Sequence, residues 1–182
     1  VKALPTALPG VTLVELAAFA DERGYFMETW HLERYRAAGI EPAFVQSNAA
    51  HSRRGVLRGL HYQLGRPQAK LVWVPHGEIL DVAVDVRRGS PSFGRWVGAV
   101  LSADNRRQLY VPGGFAHGYC VLSETADVVY QCSDFYAPAE ERGVRWDDPA
   151  LAIDWPERAP VVSAKDRALP LLRDADLPPY AP

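Results

Sequence analysis

The stretch Lys70-Leu71-Val72-Trp73-Val74-Pro75-His76-Gly77-Glu78-Ile79-Leu80-Asp81-Val82-Ala83-Val84-Asp85-Val86 decides the fold. Residues 71–74 and 79–86 are β-rich runs. The second alternates Leu80, Val82, Val84 and Val86 against Asp81, Ala83 and Asp85, the period of two that a strand imposes on its side chains. His76-Gly77 between them reads as a two-residue hairpin turn. A hairpin pairing Pro75 with Glu78 sets Lys70 opposite Ala83 and diagonally beside Asp81 and Asp85, with Leu71, Trp73, Leu80, Val82 and Val84 on the other face. On sheet statistics alone a solvated face of ordinary surface charges is the better account of the three, and it is the histidines elsewhere in the chain that favour a polar task.

The same rhythm extends outward in both directions. Asp21-Glu22-Arg23-Gly24, Arg88-Gly89-Ser90-Pro91 and Pro112-Gly113-Gly114 read as turns, and further strands are expected at 11–16, 25–30, 43–47, 56–63, 96–101, 108–111, 118–122 and 128–132. Enough strands result for two facing sheets, an all-β sandwich or barrel. Two short helices interrupt the pattern: 32–38, closed by Gly39, and 164–168, capped by Ser163 and stopped by Pro170. Proline crowds the tail, residues 176–182, which is expected to be irregular. No linker or repeat divides the chain, so 1–182 reads as one domain.

With 23% charged residues, 48% hydrophobic residues and a net charge of −2, the composition is that of a soluble protein without a general attraction to nucleic acid. Any anion site has to be local. The two cysteines, Cys120 and Cys132, have neither disulfide-scaffold numbers nor metal spacing and read as free thiols in a reducing compartment. No apolar run reaches the roughly 20 residues of a membrane span, and Val1-Lys2-Ala3 does not begin a signal pattern, so the expectation is a cytoplasmic protein.

Chemistry concentrates in Arg58-Gly59-Leu60-His61-Tyr62-Gln63, in Lys70, and in Gly114-Phe115-Ala116-His117-Gly118. Strict alternation puts Arg58 and His61 on opposite faces, so both line one pocket only if Gly59 bends or bulges the strand. A lone histidine is more often a hydrogen-bonded, half-buried ring than a catalyst. His61 together with a second histidine beside glycine, His117, an arginine and a lysine favours proton chemistry on an anionic substrate. His31, His51 and His76 fall in a helix start, a loop and a turn and take no role. A metal-binding strand is expected to read His-x-His. This one reads His61-Tyr62-Gln63 with no acid to complete a set, which argues against a catalytic metal. Tyr130 is most simply a strand aromatic, and Asp166 sits at capping-box spacing from Ser163. Arg23, Arg53, Arg54, Arg58 and Lys165 have the chemistry to hold phosphates, though each alone is an ordinary surface residue.

These residues resemble the dTDP-4-dehydrorhamnose 3,5-epimerase family of deoxysugar enzymes. The likeness runs through Asp21-Glu22-Arg23-Gly24, Phe44-Val45-Gln46-Ser47-Asn48, residues 55–63, Asp81-Val82-Ala83-Val84-Asp85, Gly89-Ser90-Pro91-Ser92-Phe93-Gly94, residues 112–118 and Ser163-Ala164-Lys165-Asp166, and so covers nearly the whole chain. The resemblance implies a cupin-type double-sheet jelly roll with a few short peripheral helices, a homodimer, and catalysis with neither metal nor organic cofactor. It implies epimerisation at C3 and C5 of a dTDP-linked 4-keto-6-deoxyhexose, dTDP-4-dehydro-6-deoxy-D-glucose, to dTDP-4-dehydro-L-rhamnose. Relatives that act at C3 only or C5 only in secondary-metabolite pathways keep much of the same framework. Carried over by position, His61 is the base, Asp166 its orienting partner, Lys70 the enolate stabiliser and Tyr130 the acid. Substrate binding falls to Arg23, Phe26, Glu28, Gln46, Ser47, Asn48, Arg58, His117, Tyr136, Glu141 and Lys165. The N-terminal segment with Arg23, Phe26 and Glu28 is expected in the dimer interface, serving the neighbouring subunit's site.

Overall fold

The computed structural model describes residues 1–180. Its strands are β1 (Lys2–Pro5), β2 (Thr12–Glu15), β3 (Ala18–Asp21), β4 (Gly24–Met27), β5 (Gln46–Arg53), β6 (Leu57–Gln63), β7 (Lys70–His76), β8 (Glu78–Asp85), β9 (Trp96–Ser102), β10 (Arg107–Val111), β11 (Phe115–Val121), β12 (Thr125–Cys132) and β13 (Glu141–Gly143). Helices α1 (Leu32–Ala37) and α2 (Ala164–Arg167) are short and peripheral. The strands form an antiparallel six-stranded sheet in the order β1-β2-β10-β7-β12-β5, a five-stranded sheet β13-β6-β11-β8-β9, and a separate β3-β4 ribbon.

The two large sheets face each other as a double-sheet jelly roll. Val72, Val74, Leu109, Val111, Ala126 and Val128 from the first sheet meet Ile79, Ala83, Leu101, Phe115, Tyr119 and Val121 from the second in one buried core. Each sheet is also covered on its outer face. Leu57, Val82, Val84, Ala116 and Cys120 lie under Val144, Trp155, Val162 and Leu172 of the C-terminal segment, and Val14, Leu71 and Tyr110 lie under Tyr35 and Ile40 around α1. Both cysteines are free and buried.

The expected hairpin between residues 71–74 and 79–86 does not form. β7 pairs with β10 and β12, whereas β8 pairs with β11 and β9, so the turn at Gly77 carries the chain from one sheet to the other. Both strands are apolar on both faces, and such strands need cover on two sides, which interior positions in two stacked sheets supply and a hairpin does not. The corner is held by the Glu78 N–H donating to Ser123 Oγ (2.8 Å) and the Ala103 N–H donating to Gly77 O (3.1 Å). Lys70 therefore has Val111 and Cys132 as register partners instead of Ala83. It shares a strand face with Val72 and Val74, and Asp81 shares one with Ile79 and Ala83; both faces look into the barrel.

Other expectations shift more modestly. The strand expected at 43–47 begins at Gln46 and runs to Arg53, which also makes His51 a strand residue and not a loop residue. Its exposed positions Ser47, Ala49, His51 and Arg53 alternate with Gln46, Asn48 and Ala50, so no apolar period announces it. Phe44 lies outside the strand and packs against the Trp30 ring. Strands β1, β3 and β13 were unmarked by any pattern. Both helices appear where expected: Gly39 follows α1 with φ +85°, and Ser163 Oγ accepts the Asp166 N–H at the start of α2. The tail is irregular but tied down as far as Tyr180, with the Arg88 N–H donating to Pro178 O and the Tyr180 N–H donating to Arg88 O. Residues 181–182 of the expected tail lie outside the described residues. Among the described residues, no helix is long and apolar enough to cross a membrane.

Asp85 anchors the turn after β8. Its fully buried carboxylate accepts from the N–H, Nε and Nη2 of Arg87 and from the hydroxyls of Ser90 (2.5 Å) and Ser92 (2.6 Å). Burial alone would raise its pKa, but these donors outweigh burial and hold it at about 2 against an ordinary 3.8. The depressed folded value means the stabilisation is complete above pH 3.8 and is lost as pH falls toward 2. Asp85→Asn should therefore cost about 2 kcal/mol in chemical denaturation at neutral pH. The gap between variant and wild type should close between pH 4 and pH 2.

Candidate active site

A cavity of about 630 Å³ opens between the two sheets and is lined from both. From the five-stranded sheet, β6 brings Arg58, His61 and Gln63, and β11 brings His117 and Tyr119. From the six-stranded sheet come Gln46 and Asn48 on β5, Lys70 on β7 and Tyr130 on β12. Lys165 and Asp166 of α2, with Tyr136 and Glu141, complete the rim.

The expected irregularity at Gly59 is present. His117 pairs with His61 and Tyr119 with Arg58, so β6 spends three residues where β11 spends two, and Arg58 and His61 both reach the cavity. Gly59 has φ +114°, and a Cβ there would stand 2.6 Å from Gly118 Cα and from His117 O. Only glycine permits this approach of the two strands.

His61 is half-buried, and its Nε2–H donates to Asp166 Oδ1 at 2.7 Å. That bond places a ring proton on Nε2 and leaves Nδ1 as the nitrogen able to take a proton. The other oxygen of Asp166 accepts the Gly59 N–H at 3.2 Å. Asp166 thus keeps only half of the expected capping box: its own N–H donates to Ser163 Oγ at 3.0 Å, while its carboxylate turns into the site. Burial would raise the Asp166 carboxyl, yet the hydrogen bond and charge of His61, with Gly59 and Ser163, hold it below the usual carboxylate value.

On the opposite wall, burial lowers the Lys70 ammonium, opposed by the thiol of Cys132 and the carboxylates of Asp81 and Glu141. Burial also raises the Tyr130 phenol, which keeps its proton as a potential donor. His117 Nε2–H donates to Asp81 Oδ1 at 2.7 Å, and among the described residues the second oxygen of that fully buried carboxylate has no hydrogen-bond partner. At the rim, Tyr136 Oη and Lys165 Nζ each donate to Glu141 Oε2 at 2.6 Å. Arg58 donates through Nε (3.1 Å) and Nη2 (3.0 Å) to Ser52 Oγ, and Gln46 Nε2 donates to Asn48 Oδ1. A base, a cation and a phenol thus converge from two sheets, with further cations at the edge, an arrangement able to move protons on an anionic molecule.

Of the expected binding residues, four stand apart from this cavity. Ser47 is exposed on the face of β5 opposite Gln46 and Asn48, as strand alternation requires. Arg23 pairs with Asp21 and Glu28 with Arg34, and Phe26 is 71% exposed on the β3-β4 ribbon. Gln63, noted in the sequence only for standing in a metal-ligand position, lines the cavity too, as do Gln68 and Tyr119, which were not singled out. Alternation from His61 to Gln63 and from His117 to Tyr119 was the available signal for two of them. Among the described residues, no three His, Cys, Asp or Glu side chains converge as a metal-binding group.

The family model described as dTDP-4-dehydrorhamnose 3,5-epimerase matches residues 5–174. A protein of Pseudomonas aeruginosa named dTDP-4-dehydrorhamnose 3,5-epimerase is 52% identical over 96% of this chain and 98% of its own length. A crystal structure of the 3,5-epimerase of Legionella pneumophila in complex with dTDP-4-keto-L-rhamnose superposes with a TM-score of 0.96 at 47% identity, covering 100% of this chain and 99% of that one. ChmJ, a 3'-monoepimerase from Streptomyces bikiniensis in complex with dTDP-quinovose, superposes with a TM-score of 0.91 at 37% identity, covering 97% and 92% of the two chains.

The glycine contact can be tested directly. Gly59→Ala forces the backbones of β6 and β11 apart at the point where His61 and Asp166 meet, and should cost about 1–3 kcal/mol in equilibrium denaturation. A variant as stable as wild type would show that the close approach is not required.

Proposed function

The chain belongs to the dTDP-4-dehydrorhamnose 3,5-epimerase family, whose members are isomerases, and from that premise we propose how this chain epimerises a dTDP-linked 4-keto-6-deoxyhexose. The C4 ketone makes the hydrogens on C3 and C5 removable, because the carbanion formed is an enolate. Nδ1 of His61 takes the proton. Asp166 stabilises the resulting imidazolium through the 2.7 Å hydrogen bond, and Lys70 holds the negative enolate oxygen. Tyr130, approaching from the other sheet, returns a proton to the opposite face of the ring and so inverts the carbon. The observation that carries this reading is that His61 and Tyr130 enter one hollow from opposite sheets.

The nucleotide lies toward the rim. Arg58 and Lys165 meet the diphosphate, Tyr136 stacks on thymine, Glu141 orients both Tyr136 and Lys165, Gln46 and Asn48 bind from β5, and His117 lies near the sugar. Arg23, Phe26 and Glu28 serve the second subunit of a homodimer. Phe19, Tyr25 and Phe26 support this, being large apolar side chains that the ribbon leaves exposed. Action at C3 alone is the second reading, favoured by the likeness to the 3'-monoepimerase ChmJ.

Incubation with dTDP-4-dehydro-6-deoxyglucose in heavy water, with deuterium located by NMR, separates the two readings. Label at both C3 and C5 is expected, and label at C3 alone supports the second. His61→Ala should slow exchange by about 10² to 10⁴. Tyr130→Phe should impair inversion more than exchange, and equal loss of both would remove Tyr130 from the acid role. Because Lys70 is lowered, its charge disappears as pH rises through a value below 10.5. The alkaline limb of kcat/KM should therefore fall early, and Lys70→Arg should move that limb upward.

A further inference from the structure

Gln63 closes the strand that carries His61 and stands where a His-x-His pair would have its second histidine. It is only 4% exposed, and the chemistry above gives it no task. Its carboxamide is nevertheless fully engaged. Nε2 donates to Arg66 O at 2.8 Å and to Phe135 O at 3.3 Å, and Oε1 accepts the Ala137 N–H at 2.7 Å. Gln46 Oε1 accepts the Tyr136 N–H at 2.9 Å.

Taken together, these bonds hold both peptide groups that flank Tyr136. The group before it is held at its carbonyl by Gln63 and at its N–H by Gln46, and the group after it is held at its N–H by Gln63. An Arg66–Asp134 ion pair and a Gln68 Nε2 bond to Asp134 O (2.7 Å) brace the start of the same segment. The Tyr136 ring itself is half exposed at the rim, and its one side-chain hydrogen bond is to Glu141. Backbone torsions are thus set while the ring face stays available, which spares a planar ligand the cost of ordering its stacking partner.

We infer that Gln63 is the positioning residue of the nucleobase site, acting through the backbone of Tyr136. The inference rests on the reading of Tyr136 as the thymine-stacking residue. It also accounts for a buried carboxamide two residues beyond His61, on a strand whose other inward groups, Arg58 and His61, already have tasks at the diphosphate and the sugar.

A double-mutant cycle read by calorimetric titration with dTDP tests it. Tyr136→Ala should weaken dTDP about tenfold or more, the loss expected for a base–aromatic stack. Gln63→Met should weaken dTDP about tenfold, with the loss in turnover falling on KM and not on kcat. The double variant should bind no more weakly than Tyr136→Ala alone, because two residues acting through one contact are not additive. Multiplied losses in the double variant, or wild-type affinity in Gln63→Met, would overturn the positioning role. Wild-type affinity in Tyr136→Ala would instead refute the stacking reading and take this inference with it. If Gln63→Met does not fold, Gln63→Glu, which keeps the acceptor for Ala137 and loses both donor bonds, carries the same cycle with the same expected non-additivity.

Discussion

The carboxylate of Asp166 reaches two places at once: one oxygen accepts from the His61 ring, and the other accepts the Gly59 N–H. One group therefore sets the tautomer of a histidine and fastens the bulge that turns that histidine inward. Desolvating such a carboxylate is costly, and its hydrogen bonds outweigh that cost. The arrangement depends on α2 lying against the outside of β6, which the apolar layer of Val144, Trp155, Val162 and Leu172 provides. Removing that cover would leave the imidazole without its partner, 105 residues away in the chain.

Two facing sheets solve a problem that one sheet cannot. Inverting a carbon needs a proton acceptor and a proton donor on opposite sides of a ring, and the side chains on one sheet face all point the same way. Here the histidines stand on the five-stranded sheet, while Lys70 and Tyr130 stand on the six-stranded one. Burial acts on the two sheets' groups in complementary ways. It keeps Tyr130 protonated and destabilises the charge on Lys70, which sharpens the ammonium's response to a nearby anion. The Asp81 carboxylate beside His117 supplies countercharge on the opposite wall.

The rim differs from the interior. Lys165, Glu141, Tyr136 and Arg58 sit where water reaches them, and their contacts are the exchangeable kind expected where a charged nucleotide end enters and leaves. Backbone order there is supplied from below by the buried carboxamide of Gln63. Under the proposed function, rigid strands hold the reacting groups, and a braced loop presents the recognition groups.

The amino-acid order by itself determined the β character of the chain, both helix caps, the glycine irregularity at Gly59 and the identity of the family, because each is written in local period, in turn chemistry or in contiguous motif. It could not tell which strands pair. The runs around Gly77 look like a hairpin, since alternation reports that a strand has two faces and not what covers them; the need to bury all four faces sends β7 and β8 to different sheets. The polar strand β5, expected at 43–47 and found at 46–53, was misplaced for the converse reason, as its inward residues Gln46 and Asn48 face a cavity instead of a core. Asp166 read locally as a cap, and only the packing of α2 on β6 turned its carboxylate to His61. Tertiary structure alone decided which distant side chains share one hollow, because that depends on how the sheets stack and not on the spacing of residues along the chain.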